Sequence, residues 1–365
     1  MHEFLINTVN KADTYLWLNI NRVYRVFLLT GFNSSRTILF KGGYVMLQIV
    51  KEEVCHYEDF VGEITEMVKR KMGEDYSIRT YKVTKNNSLE LDSIVILKKG
   101  KSFAPNIYLL PYYEAYMQGT DMKELADGLC NAYCNYSAPP LDEDFTYSYE
   151  GIKSNIIYRL VNYDKNKKLL EKLPHIKYLD LAITFHCLVR EDNDGIGTIR
   201  ITNEHLKMWG GSLETLHLQA VKNTQRLFPS MIRSMDEVIL GMLKEELAGD
   251  KDNELPDQLL GNILGDRDCS NQHKMFILSN EKGINGATCL LYENILEKFS
   301  DQIHSDFFIL PSSIHEVILV PYDRTITKEA LTEMVRDVNY TQVARDEVLS
   351  DRVYYYSRKN NAISI

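Results

Sequence analysis

The densest grouping of side chains that could do chemistry is Pro311-Ser312-Ser313-Ile314-His315-Glu316. A serine, a histidine and a carboxylate are the parts of a nucleophilic site. The hydroxyl attacks, the imidazole takes its proton, and the acid orients the ring. The flanking apolar runs read as strands, so this stretch reads as a turn at Pro311–Ser313 leading into a buried strand. Neighbours on a strand point to opposite faces, and His315 and Glu316 are then expected not to orient each other. Ser313 and His315 would share a face. The resulting candidate binding site is Ser312, Ser313, His315 and Glu316, with His175 as a further polar candidate. No residue is assigned a catalytic role.

Other groupings carry less. His175, His186 and His205 lie in one region with Asp180 and Glu204, but nothing in their spacing forces them onto a metal. Cys130 and Cys134 stand four apart on an expected helix with no second Cys/His pair at zinc-finger spacing, and read as buried small hydrophobes. Gly100-Lys101-Ser102 is similar to the end of a phosphate loop, yet Val95 stands where its first glycine belongs. Aligning Gly195 with the glycine of a calcium loop puts Arg190 and Ile201 at the outer ligand positions, so that stretch reads as a polar hairpin turn. The dinucleotide, zincin and nucleophile-elbow motifs do not occur. No metal and no cofactor is expected.

The elements that would position these residues fall into units. In 46–145, Tyr57–Met72 is an amphipathic helix closed by Gly73. Tyr76–Val83 and Leu89–Leu97 flank the turn Lys85–Ser88, Ala104–Leu110 is extended, and Asp121–Tyr133 is helical. In 146–247, Gly151–Asn162 is expected to be helical and Tyr178–Val189 and Thr198–Ile201 to be strands. Helices follow at Asn203–Met208, Ser212–Leu227 and Met235–Glu246. An Asp/Asn/Gly-rich acidic linker covers 248–272. Residues 273–365 run strand, helix, strand, strand, helix, strand, with Tyr354–Tyr356 as an edge strand. The reading is an α+β protein with a C-terminal βαββαβ two-layer sandwich, ferredoxin-like or similar.

The chain has 365 residues, 44% hydrophobic and 25% charged, with a net charge of -9. A diffuse acidic surface repels phosphate backbones, so nucleic acid is not an expected partner. No apolar run approaches the roughly 20 residues that span a bilayer, so no membrane partner is expected either. Thiol cysteines and a cytoplasmic location follow from the absence of a secretory signal. Residues 1–45 differ from the rest, with five Lys/Arg against two acids. Lys41-Gly42-Gly43 can be encoded by a ribosome-binding sequence at normal spacing before Met46. The expectation is a non-native leader, or a disordered arm, ahead of a native start at Met46.

Several of these stretches resemble the blocks of domain of unknown function 5688. They are Lys85-Asn86-Asn87, Ala104–Leu109 with Pro111–Glu114, Pro174-His175 with Tyr178–Ala182, and Asp306–Val317. Met334–Arg336 with Val338-Asn339 and Thr341, and Leu349–Asp351 with Val353-Tyr354, complete the set. The resemblance covers about residues 57–357 and implies a clostridial bacterial protein; it supplies no activity and no site residues. The function expected is a non-enzymatic binding or regulatory protein with a protein or small-molecule partner. A hydrolase with its site near Ser313 and His315 is the alternative, and a mobile-element or phage-defence accessory a third class.

Overall fold

A computed structural model describes residues 4–10, 56–101, 103–135, 148–192, 195–248 and 275–365. It is α+β, as the sequence indicates, and its helices stand beside largely antiparallel sheets. The chain divides into two compact units. Most of residues 1–45, and the linker beyond Ala248, lie outside the described residues, and within 1–45 only strand β1 (Phe4–Asn10) is described.

In the first unit, helix α1 (Tyr57–Met72) buries Phe60, Ile64 and Val68, spaced to form one stripe. Gly73 ends it with a φ of 80°, a conformation that favours glycine. Strands β2 (Tyr76–Thr84), β3 (Glu90–Lys98) and β4 (Phe103–Tyr108) are ordered β2-β3-β4-β1, with β1 parallel to β4. Helix α2 (Leu110–Met117) begins inside the stretch expected to be extended, with Pro111 in its first turn, where a missing N–H costs nothing. Helix α3 (Met122–Cys134), capped by Asp121, packs Leu125, Ala126 and Leu129 against Phe60, Ile94 and Ile96. Cys130 is half-buried and Cys134 exposed, so the buried-hydrophobe reading fails for Cys134.

The second unit comprises residues 86–89 and the described residues from 148 to 365. It takes in both 146–247 and 273–365, which the sequence suggests as separate units. Its first sheet holds β5 (Ile156–Asn162), β6 (His175–Tyr178), β7 (Leu181–Asp192) and β8 (Gly195–Arg200). β5 lines one side of β7, while β6 and β8 pair with it as well, all antiparallel. The helix expected over Gly151–Asn162 is therefore mostly a strand. Its apolar residues fit a helical stripe, but Ile156, Ile157 and Tyr158 are β-branched or aromatic and are buried on both faces. Tyr149–Ile152 forms a helical turn, α4, and Lys153–Asn155 a 3-10 turn before the strand begins. After the short helices α5 (Lys167–Leu170) and α6 (Asn203–Met208), helix α7 (Leu213–Leu227) is capped by Ser212 and lays Thr224 against β5, where its hydroxyl accepts from Tyr158 N–H at 3.0 Å.

The second sheet adds β9 (Ser230–Ser234), β10 (Phe276–Asn280), β11 (Phe307–Leu310), β12 (Val317–Pro321), β13 (Tyr354–Ser357) and β14 (Ala362–Ser364). Helices α8 (Met235–Ala248), α9 (Ile295–Ile303) and α10 (Lys328–Thr341) accompany it. The chain order from β10 to β13 is βαββαβ, but the sheet order is β14-β13-β11-β12-β10-β9. In a ferredoxin-like sheet the last strand lies beside the first. Here β13 lies beside β11, pairing Phe307 with Tyr356. β13 also pairs with β14, so Tyr354–Tyr356 is not an edge strand. Every residue of β11 is buried, so the sheet is covered on both faces there and not open on one, as a two-layer sandwich would be. Phe299 of α9 packs edge-on against Phe276 and Phe307.

Candidate functional site

Strand β12 begins only at Val317, so Pro311–Glu316 is a non-strand connection, joined at Ser313 to Val348 by an isolated bridge. Strand alternation does not govern it. His315 is 5% exposed, and all its polar groups have partners within the fold. Its N–H donates to Ser313 Oγ at 3.0 Å and its carbonyl accepts from Ser279 Oγ at 2.8 Å. Ring Nδ1 accepts from Asn285 N–H at 3.2 Å, which places the ring proton on Nε2, 3.4 Å from Glu347 Oε1. A Cβ on Gly286 would collide with Ser279 Oγ and the His315 carbonyl, so that position requires glycine. The ring nitrogens meet Asn285 N–H and Glu347, and Ser313 Oγ meets the His315 N–H, so among these contacts none joins the Ser313 hydroxyl to the imidazole as a nucleophile–base pair requires.

The carboxylate at the His315 ring is that of Glu347, not that of the adjacent Glu316. Burial pushes the Glu316 carboxyl up to about 6, against the downward pull of the His315 ring; the Glu347 charge pushes it further up and the Ser313 hydroxyl pulls it down. Its Oε2 is buried with no hydrogen-bond partner among the described residues. The hollow it faces, with Arg233, Ser279 and Lys282, has a volume of about 150 Å³, below the size of ordinary ligand pockets.

His175 lies elsewhere, on β6, with Nδ1 2.9 Å from the Leu173 carbonyl and its ring near Tyr163. His186 bonds Thr184 through Nε2, and His205 stacks on Trp209 and caps α6. Among the described residues no three His, Cys, Asp or Glu side chains are placed to hold a metal.

A larger cavity adjoins the 342–353 connection. A cleft of about 880 Å³ is lined by Asn87, Lys165, Arg336, Asn339, Tyr340, Val343, Arg345, Val348 and Asp351. Its wall is held by buried amides. Asn87, at a φ of 57°, donates through Nδ2 to the carbonyls of Arg345 at 2.8 Å and Val348 at 2.6 Å. Its N–H and side-chain carbonyl engage the Asn166 amide at 2.8 and 3.0 Å, and Asn162 donates to the Leu349 carbonyl at 2.9 Å. On the other flank Asn339 receives Ser312 Oγ at 2.5 Å and donates to the Ser350 carbonyl at 2.9 Å and to Asp351 at 2.8 Å. Beneath, Asp180 accepts from Ser350 Oγ at 2.7 Å and Tyr354 Oη at 2.5 Å. Burial raises the Asp351 carboxyl, but bonds from Asn339 and Lys165 and the charges of Lys165 and Arg336 outweigh it, and the net shift is downward.

These residues come from well-separated stretches, and the family model for a family of unknown function, DUF5688, matches residues 57–358. The chain belongs to this family. No curated protein and no solved structure was found to match it. The family carries no stated activity, so the cleft must be read from its own chemistry. Of the residues singled out in the sequence, Ser312 reaches the cleft wall through Asn339, while Ser313, His315 and Glu316 form the internal corner behind it and His175 stands apart. Arg336, Tyr340 and Arg345 were missed as functional candidates, because isolated charges on a helix and a loop resemble a solvated surface. Their one sequence-level signal is that Arg336 lies inside a block that carries the resemblance.

Proposed function

We propose that the protein is a binding protein whose working site is the Arg336–Arg345 cleft, and that its ligand is a small anionic molecule with a planar group. The observation that carries this reading is the contrast within the lining. The amides are saturated by the fold, whereas three cationic side chains, Lys165, Arg336 and Arg345, face the cleft with one carboxylate, Asp351. Lys165 pairs with that carboxylate at 2.9 Å. The guanidinium groups suit carboxylate or phosphate through paired donors. Tyr340, 91% exposed at the same cleft, offers a ring face for stacking. The volume is that of a small-molecule site. The net acidity of the whole chain disfavours an extended polyanion. No nucleophile with an aligned base lies in the lining, which favours binding over hydrolysis. Buried thiols at Cys187 and Cys289 accord with a reducing, intracellular setting.

The test is a thermal-shift comparison of nucleoside monophosphates, aromatic carboxylates and their uncharged analogues. The reading expects a stabilising shift with at least one anion and none with its uncharged analogue. Equal response to charged and uncharged forms would remove it.

A further inference from the structure

One face of the first sheet of the second unit gathers basic and hydroxyl side chains. Directly paired residues of antiparallel strands share a face. The register pairs Arg159 and His175 with Thr184, Arg200 with His186, and Thr198 with Leu188. Thr184, His186 and Thr198 are 2%, 6% and 1% exposed. Arg159 reaches across β7 and donates from Nη2 to Thr198 Oγ1 at 3.0 Å. His186 Nε2 lies 3.2 Å from Thr184 Oγ1. The Arg159 Nε–H is buried with no hydrogen-bond partner among the described residues. The charge felt most by Arg159 is that of a second cation, Arg200, and both guanidinium groups act with burial to hold the His186 ring well below its ordinary range, hence neutral.

A buried guanidinium normally meets a carboxylate, because an uncompensated charge in a low-dielectric setting is costly. Among the described residues the contacts place beside it another cation, a neutral imidazole and two hydroxyls. Arg200 contributes its charge whatever its other contacts. Hydroxyls and an imidazole can serve as donors to an anion as readily as acceptors from the guanidinium. We propose that this face is an oxyanion site, in which a phosphate or phosphate monoester takes the free Nε–H of Arg159, within reach of Thr198, His186 and Arg200. It is separate from the Arg336–Arg345 cleft and independent of that reading.

The test uses inorganic phosphate on the full chain carrying Arg336→Ala and Arg345→Ala, so that the cleft does not respond. Phosphate is expected to raise the melting temperature relative to chloride at equal ionic strength, since a ligand of the folded state stabilises it. Adding Arg159→Met is expected to abolish the rise, and Arg159→Lys, which keeps charge but loses the Nε–H, to weaken apparent phosphate affinity at least tenfold. An equal rise in Arg159→Met, or the same rise with chloride, would overturn the site. Should neither Arg159 variant fold, the His186 imidazole resonance decides. An upward shift of its titration with phosphate and not with chloride is expected, and an unmoved resonance would overturn the proposal.

Discussion

The corner at Ser313–Glu316 and the cleft at Arg336–Arg345 both adjoin the connection between α10 and β13, and they use polar side chains in opposite ways. In the corner, hydroxyl, imidazole and backbone groups close on each other. His315 alone is tied to Ser313, Ser279, Asn285 and Glu347. In the cleft, the amides close on the wall while cations and a tyrosine face outward. The difference teaches that reactive residue types packed close in sequence do not by themselves mark a site. What matters is which polar groups the fold leaves for a ligand.

The largest effect that would sharpen this contrast is expected at Asn87. Asn87→Ala removes both donors to the wall carbonyls and places alanine at a positive φ, and is expected to cost about 3 kcal/mol in urea unfolding. Asn87→Gly keeps the backbone easy and should cost less, about 2 kcal/mol. A loss under about 0.5 kcal/mol for both would mean that the amides do not hold the wall.

Next comes Glu316. Its folded pKa of about 6 lies above its unfolded value, so below about pH 4.5 both states are protonated and the residue carries no penalty. As pH rises through about 6 the penalty grows and then levels off. Glu316→Gln is therefore expected to stabilise the protein by about 1–2 kcal/mol at neutral pH and by nothing near pH 4. Destabilisation at neutral pH would show that the ionised carboxylate has a role in the corner. Ser313→Ala should cost roughly 1 kcal/mol by leaving the His315 N–H without its acceptor. If the variant instead removed a hydrolytic activity present in the wild type, the corner would have to be read as a catalytic site.

The smallest stability effect is expected in the cleft. Arg336→Ala, Tyr340→Ala and Arg345→Ala should each change stability by no more than about 0.5 kcal/mol. Larger losses would recast them as structural.

How much of this was legible depends on range. Helix α1 was readable because its stripe and its glycine stop are both local, and the start of α7 at Ser212 was readable for the same reason. Ile156–Asn162 was misread because its apolar spacing suits a helix and only β7, which pairs with it over seven residues, decides the matter. The position of β13 beside β11 is likewise a long-range choice. In the candidate site, Ser313, His315 and Glu316 were visible by composition, but their engagement depends on Asn285 and Glu347, which sequence cannot place beside them. The cleft was invisible because Asn87, Lys165, Arg336 and Arg345 meet only through the fold.

Calorimetric titration of the anion found by thermal shift, into wild type and into the Arg336→Ala/Arg345→Ala variant, tests the central claim most directly. Saturable binding to the wild type, weakened tenfold or more in a variant that unfolds at the same urea concentration, is the predicted result. Equal affinity in the two proteins would contradict it.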